Sequence, residues 1–341
     1  MLTSLLKATS RTFYQTLRVL PGAIRTQISL AYLLARATDT IADTEIVPVA
    51  QRLAALESLR GRILGMAEGP LRFEEMARNQ GSAAERALLE RCDDAVGLLD
   101  ELSPADRQRV QQVLEVITSG QELDLRRFGA ASAESIVALQ SGAELDDYTY
   151  RVAGCVGEFW TRMCLAHVLK RCKLDEPALL ASGIRFGKGL QLVNILRDLP
   201  ADLRQGRCYL PREELDGAGL TPADLLKAEA VDRLRPLYDR HLAVAEAHLK
   251  AGWDYTNALP RRFLRLRLAC AWPILIGVKT IGKLKTDNVL DPAKRVKISR
   301  REVKGIIWGS VLRYPSRMAW TRQFELALGE AKPVALKNNL Q

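Results

Sequence analysis

Histidine is almost missing: three residues in 341, and the six cysteines (Cys92, Cys155, Cys164, Cys172, Cys208, Cys270) form no CxxC pair. A zinc site or a disulfide framework is therefore not expected, and a reducing, cytoplasmic setting is. The longest uncharged apolar run, LACAWPILIGV at 268–278, has 11 residues, against the roughly 20 that a membrane span needs. The opening MLTSLLKATSRTF has neither an apolar h-region nor a cleavage site, so no signal peptide is expected. Alternating strand patterns last only a few residues, and no hairpin pair is found. Helix-turn-helix, RNP and finger signatures are also lacking, and aromatic residues are only 6% of the chain. With no base-stacking platform among the basic residues, a basic helical nucleic-acid-binding protein is the weaker reading.

What is present is helix. Ala, Leu and Arg are plentiful, a mix of strong helix formers, and 341 residues suffice for a substantial core. In 24–38, Ile24, Ile28, Ala31, Ala35 and Thr38 share one stripe, widened by Leu30, Leu33, Leu34 and Ala37. Such a helix is apolar nearly all round and belongs at the centre. The same period predicts helices over 50–66, 83–101, 104–127, 146–171, 177–199, 222–251, 259–282 and 300–312. SPAD at 103–106 and TPAD at 221–224 read as an N-cap followed by proline and an acid in the first turn. The expected architecture is one all-α domain over 1–331, its basic C-terminal part at 285–331, with a frayed tail at 332–341.

Charge is uneven. From Arg261 onward there are 18 Lys/Arg against 5 Asp/Glu, so of the net +10 the preceding residues contribute −3. An anionic partner or a solvated basic face would both account for this. The stretch 285–320 mixes Lys/Arg with Ile, Val and Trp. It reads either as peripheral contact with an anionic membrane or as a solubilising tail packed on the last helices.

Two acidic stations interrupt the apolar helices. ARATDTIADTE (35–45) puts Asp39 and Asp43 four apart, and NILRDLPADLRQGR (194–207) does the same with Asp198 and Asp202. Residues i and i+4 project from one face, so each pair repels itself unless a cation lies between. An unpaired carboxylate on a buried helix costs several kcal/mol. Arg36 lies one turn before Asp39, and Asn194 and Arg197 share the face of Asp198. Acid pairs beside arginines suit the handling of a metal diphosphate, in which oxygen ligands hold Mg²⁺ with its waters and guanidinium groups clamp phosphate. That equipment ionises an allylic diphosphate, provided an apolar cavity shelters the cation.

SRTFYQTLRVLP (10–21), AYLLARATDTIAD (31–43), YTYRVAGCVGE (148–158) and LQLVNILRDLPADLRQGRCYLP (190–211) resemble, in order and spacing, the signature blocks of the squalene/phytoene synthase family. The resemblance covers about residues 5–285. It implies the all-α isoprenoid synthase fold, a helical bundle around a central cavity, and head-to-head joining of two prenyl diphosphates through a cyclopropyl diphosphate. Carried over by position, Asp39, Asp43, Asp198 and Asp202 would hold Mg²⁺ and the diphosphates, with Asp39 and Asp198 central to catalysis. Ser10, Arg11, Arg36, Asn194 and Arg197 would contact phosphate, Tyr32 and Gln191 would line the polar end of the cavity, and Tyr148 would handle protons. Ala42 and Ala201 stand where some members carry Glu, Arg151 stands where animal-type squalene synthases carry tyrosine, and Pro200 interrupts the second motif.

The family divides over the fate of the intermediate. WPILIGVKTIGKLK (272–285) resembles the squalene-synthase stretch that reaches the NADPH phosphates. Lys279 matches one of its basic positions, Ile281 replaces the other, and Lys283 lies close by. The resemblance thus implies a squalene synthase acting on farnesyl diphosphate, with Arg11, Arg36, Asn194 and Lys279 toward NADPH. Phytoene or dehydrosqualene formation without reduction, and presqualene diphosphate or hydroxysqualene as product, are the alternatives. His167, His241 and His248 are expected at surfaces or helix ends, and Trp160, Trp253 and Trp272 in the core or cavity wall.

Overall fold

The computed structural model describes residues 5, 6, 17, 19–291 and 296–329. Ser10, Arg11 and the 332–341 tail lie outside them. Helices dominate, as the 3.6-residue period predicts. They are α1 (Gly22–Ala42), α2 (Val49–Leu64), α3 (Pro104–Phe128), α4 (Gly142–Thr149), α5 (Cys155–His167), α6 (Glu176–Arg204), α7 (Val231–Ala258), α8 (Leu264–Leu284) and α9 (Arg300–Arg313), with shorter helical segments between and after them. Helix α6 packs along α7 and against α5 and α8; α1 and α2 lie on α3, and α3 on α5. Of the stripe expected on α1, Ile24, Ile28, Ala31 and Thr38 are buried and Ala35 is half-buried, with Leu30, Leu33, Leu34 and Ala37 buried beside them.

Both predicted N-caps form. Ser103 Oγ accepts from Asp106 N–H at 3.3 Å at the start of α3. Thr221 and Asp224 make a reciprocal capping box, but this one heads a short 3₁₀ segment, Pro222–Leu226, and α7 starts only at Val231. The single helix expected over 83–101 breaks at Arg91 into Ala83–Glu90 and Cys92–Gly97 with a 3₁₀ turn after them. Between α4 and α5, Tyr150–Gly154 forms one π turn, a device that re-registers the side chains on either side. Its neighbour α5 approaches α6 backbone to backbone, since a Cβ on Gly157 would run into the carbonyl of Gly183.

Pro200 does not end α6, which runs on to Arg204. Proline cannot donate to the carbonyl four residues back, here Leu196 O. The buried Tyr238 on α7 donates its hydroxyl to that carbonyl at 2.9 Å, so the acceptor freed by Pro200 is satisfied from the neighbouring helix and the second acidic station stays helical.

No alternating pattern marks a strand, yet β1 (Val137–Ala138) and β2 (Arg207–Cys208) pair in parallel, Val137 opposite Arg207. Two residues are too few for any period to register. Among the described residues no helix is long and apolar enough to cross a membrane.

Candidate active site

The acids converge. Asp39 and Asp43 sit at the C-terminal end of α1, Asp198 and Asp202 near the end of α6, and α3 contributes Gln121 and Asp124. Asp39, Asp43, Gln121, Asp124, Tyr148, Gln191, Arg207 and Tyr209 line one hollow of about 340 Å³. Gln121 Nε2 donates to Asp39 Oδ1, and Tyr209 Oη donates to Asp124 Oδ2 at 2.7 Å. The Tyr148 and Tyr209 rings stack with centroids 4.7 Å apart.

Arg207 is the common cation. Its position follows from the chain just before it: α6 ends, and Gly206 adopts φ +80°, a conformation glycine takes without strain. A Cβ there would also strike the backbone of Ser132. Val137 N–H then donates to Gly206 O at 2.9 Å and Leu139 N–H to Cys208 O at 3.0 Å, clamping the backbone on both sides of Arg207. From there its guanidinium favours the charged forms of Asp43, Asp124 and Asp202 together, against the burial that raises them, and pairs with Glu45 at 3.3 Å.

Arg207 shares the site with Arg52 on the wall of the hollow and Arg36 toward Asp39 and Asp43, yet the acids hold their protons tightly. Burial and the neighbouring Asp43 push Asp39 up to about 6. Burial pushes Asp124 up to about 6, and burial with Asp198 pushes Asp202 up to about 7. Asp43 is raised too, chiefly by burial. Burial thus disfavours the charged form of these acids, and Asp124 Oδ1 and Gln121 Oε1 have no hydrogen-bond partner among the described residues. A cluster of this kind calls for a cation. Among the described residues no three His, Cys, Asp or Glu side chains close into a complete metal site. A site that completes its shell with water and phosphate oxygens, as magnesium sites do, has no need of one.

Below the acids the lining turns apolar. A second cavity, about 510 Å³, is walled by Ile28, Ala31, Ile117, Val156, Phe159, Trp160, Phe186, Leu190, Ala269, Cys270 and Pro273 among others. Val152 of the π turn borders both cavities, so the polar hollow sits at the head of a greasy one. Tyr32 and Asn194 line the apolar cavity, and Asn194 Nδ2 donates to Gln191 Oε1 at 3.5 Å at the boundary. Tyr148 is buried, and burial together with Asp124 and Asp202 raises its phenol well above the usual range, which keeps the proton on Oη.

Other predicted residues are engaged in pairs. Arg36 pairs with Glu85 while still facing Asp39. Arg197 grips its neighbour Asp198 through two contacts, Nε to Oδ1 at 2.9 Å and Nη2 to Oδ2. Arg151 lies in the π turn and donates to Asp147 at 2.7 Å and Ser119 at 2.9 Å. Lys279 lines neither cavity and lies 3.5 Å from Glu302. Trp160 is cavity wall and Trp253 core, stacked on Trp320 at 5.3 Å. The histidine expectation needs correction for His241, which is buried on α7 and faces Glu214 at 3.2 Å because its helix face turns inward.

Four site residues escape the sequence reading: Gln121, Asp124, Arg207 and Tyr209. Arg207 and Tyr209 lie inside the block 190–211, directly after the glycine that turns the chain, and that glycine is the available signal. Gln121 and Asp124 sit on a helix turn rich in charge, GQELDLRRF, where nothing local marks them.

Known proteins resemble the chain along most of its length. The family model for squalene/phytoene synthase matches residues 6–302. A presqualene diphosphate synthase of Zymomonas mobilis is 29% identical, with 85% of each chain covered. A bifunctional lycopene cyclase/phytoene synthase of Colletotrichum graminicola is 29% identical over 89% of this chain, which spans about half of that relative's length. A solved structure of TcSQS with the ligand BPH1237 superposes with a TM-score of 0.75 at 21% identity, covering 98% of this chain and 92% of that one. The fold is that of the all-α isoprenoid synthases.

Proposed function

Because the chain belongs to the squalene/phytoene synthase family, we propose that it is a magnesium-dependent prenyltransferase joining two farnesyl diphosphates head to head into presqualene diphosphate. The observation that carries this is the acid-lined hollow meeting an apolar cavity at Val152. The relative of Zymomonas mobilis, similar over most of both chains, supports the same product. Asp39, Asp43, Asp198 and Asp202, joined by Asp124, would hold the metal. Bound there, magnesium would neutralise charge on the departing diphosphate.

The chain's own groups supply the rest. Arg207 faces the acids and is poised for phosphate oxygens, with Arg36 and Arg197 exchanging their carboxylate partners for phosphate; Ser10 and Arg11 are proposed for the same end. One diphosphate leaves with the electron pair of its C–O bond. The double bond of the second substrate then attacks the allylic cation, and transfer of a proton from its C1 to the departed diphosphate closes the cyclopropane. Tyr148 Oη keeps its own proton and donates a hydrogen bond to the leaving group, while Trp160, Phe159 and Phe186 exclude water from the cation.

Reduction of the intermediate to squalene by NADPH is the second reading. It is favoured by Lys279 and Lys283 on α8, whose Ala269, Cys270 and Pro273 line the apolar cavity. Arg11, Arg36, Asn194 and Lys279 would meet the cofactor, Lys279 leaving Glu302 to do so. Incubation with magnesium and either C15 or C20 diphosphate, with and without NADPH, tests both. Presqualene diphosphate accumulating regardless of NADPH is the expected result. Squalene formed only with NADPH would favour the second reading, and phytoene or dehydrosqualene as main product would overturn both.

A further inference from the structure

Helix α9 is fixed with one face on the body of the protein and the other in water. On the inner face Trp272 Nε1 donates to Ser310 Oγ at 2.9 Å, and Lys283 Nζ donates to Glu302 at 3.1 Å. Ser299 and Glu302 close a capping box at its start. The core thus sets the helix's rotation, and its outer face follows. At 3.6 residues per turn, Arg300, Arg301 and Lys304 share that face with Trp308, Val311 and Leu312. Basic residues occupy its first turns and apolar ones its last. Trp308 and Leu312 are each 66% exposed, and Met318, just past the helix, is 58% exposed. Single exposed apolar residues need no explanation, but a row of them, one a tryptophan, marks an interaction surface.

We propose that this face docks on an anionic lipid bilayer, with Trp308, Leu312 and Met318 entering the headgroup boundary and Arg300, Arg301 and Lys304 against lipid phosphates. Charge selects this occupant. Residues 296–329 carry seven Lys/Arg against two Asp/Glu, so a second copy of the chain would bring two basic faces together, whereas an anionic membrane complements both halves of the helix. Tryptophan at the boundary between apolar and basic rows suits the bilayer interface. The proposal stands apart from the product question, since it needs no turnover. Geometry nonetheless links them: α8, which holds α9 through Trp272, turns Ala269, Cys270 and Pro273 into the apolar cavity.

The test is flotation of the full chain with phosphatidylcholine vesicles, with and without phosphatidylglycerol. Binding is expected only with the anionic lipid and should weaken as salt rises. Lys304→Gln should lower partitioning about fivefold, and the Trp308→Ser/Leu312→Ser pair on the order of tenfold or more. Melting and turnover of dispersed substrate should be unchanged in these variants. In Trp308→Phe the vesicle-induced blue shift of tryptophan emission should be lost. Equal binding to neutral vesicles, wild-type partitioning of the variants, or self-association abolished by the same pair would each overturn the proposal.

Discussion

Arg207 is the cation shared by Asp43, Asp124 and Asp202, acids drawn from three helices, so substitutions at the site should move stability in opposite directions. Removing a carboxylate from a like-charged cluster relieves repulsion, whereas removing the arginine strips three of the acids of their shared counter-charge. Asp202→Asn should therefore melt at or above wild type without magnesium, and Arg207→Ala should melt below it; thermal melts showing the reverse order would refute the electrostatic account. The pH dependence has a definite sign. Asp39, Asp124 and Asp202 have folded values of about 6, 6 and 7, above the roughly 4 of an unfolded aspartate. The unfolded chain gives up these protons first, so metal-free stability should fall as pH rises from about 4 to about 7 and then level off. Magnesium should raise the melting temperature most above that window, and Asp39→Asn should blunt the rise. Asp39 and Asp43 are legible in the sequence because four-residue spacing on an apolar helix is a local fact. Asp124 is not, because its meaning comes from Arg207 and Asp202, distant in the chain.

Helix α6 carries the second acidic station through a proline because a tyrosine on another helix takes the freed carbonyl. Tyr238→Phe should leave Leu196 O buried without a donor, a loss of about 1–3 kcal/mol, and should impair turnover by loosening the turn from Asp198 to Asp202. In Pro200→Ala, residue 200 regains its N–H, so Tyr238→Phe should cost less there. Denaturant titration of the four proteins in a double-mutant cycle measures that coupling; additive losses would contradict the assignment. Gly157→Ala should cost about 1–3 kcal/mol by forcing α5 away from Gly183, and the same titration reads it. Pro200 is visible in the sequence as an interruption, but its remedy is not, since Tyr238 sits in an unremarkable stretch, PLYDRHL. The π turn is equally hidden: YTYRVAGCVGE continues a helical period across a residue that the backbone inserts.

The whole molecule joins a charged mouth to an apolar interior, and that architecture is the most legible part of the sequence. Apolar periodicity places most long helices to within a few residues, because each buries one continuous stripe that the order of its apolar residues reveals. The failures include Arg91, where the helix breaks with no side-chain cap, and 222–230, where the Thr221–Asp224 capping box wins over the wider period. A cavity is implied by the sequence but its walls are not assignable from it, since facing depends on how α1, α3, α5, α6 and α8 rotate against one another. The central claim concerns this assembly: acids from α1 and α6 act on one magnesium diphosphate. Calorimetric titration of inorganic pyrophosphate with and without magnesium, into wild type, Asp39→Asn, Asp202→Asn and the double variant, tests it most directly. The account predicts binding only with magnesium, at least tenfold weakening in either single variant on the order expected for a lost charge-assisted contact, and little further loss in the double. Metal-independent binding of equal affinity in all four proteins would contradict it.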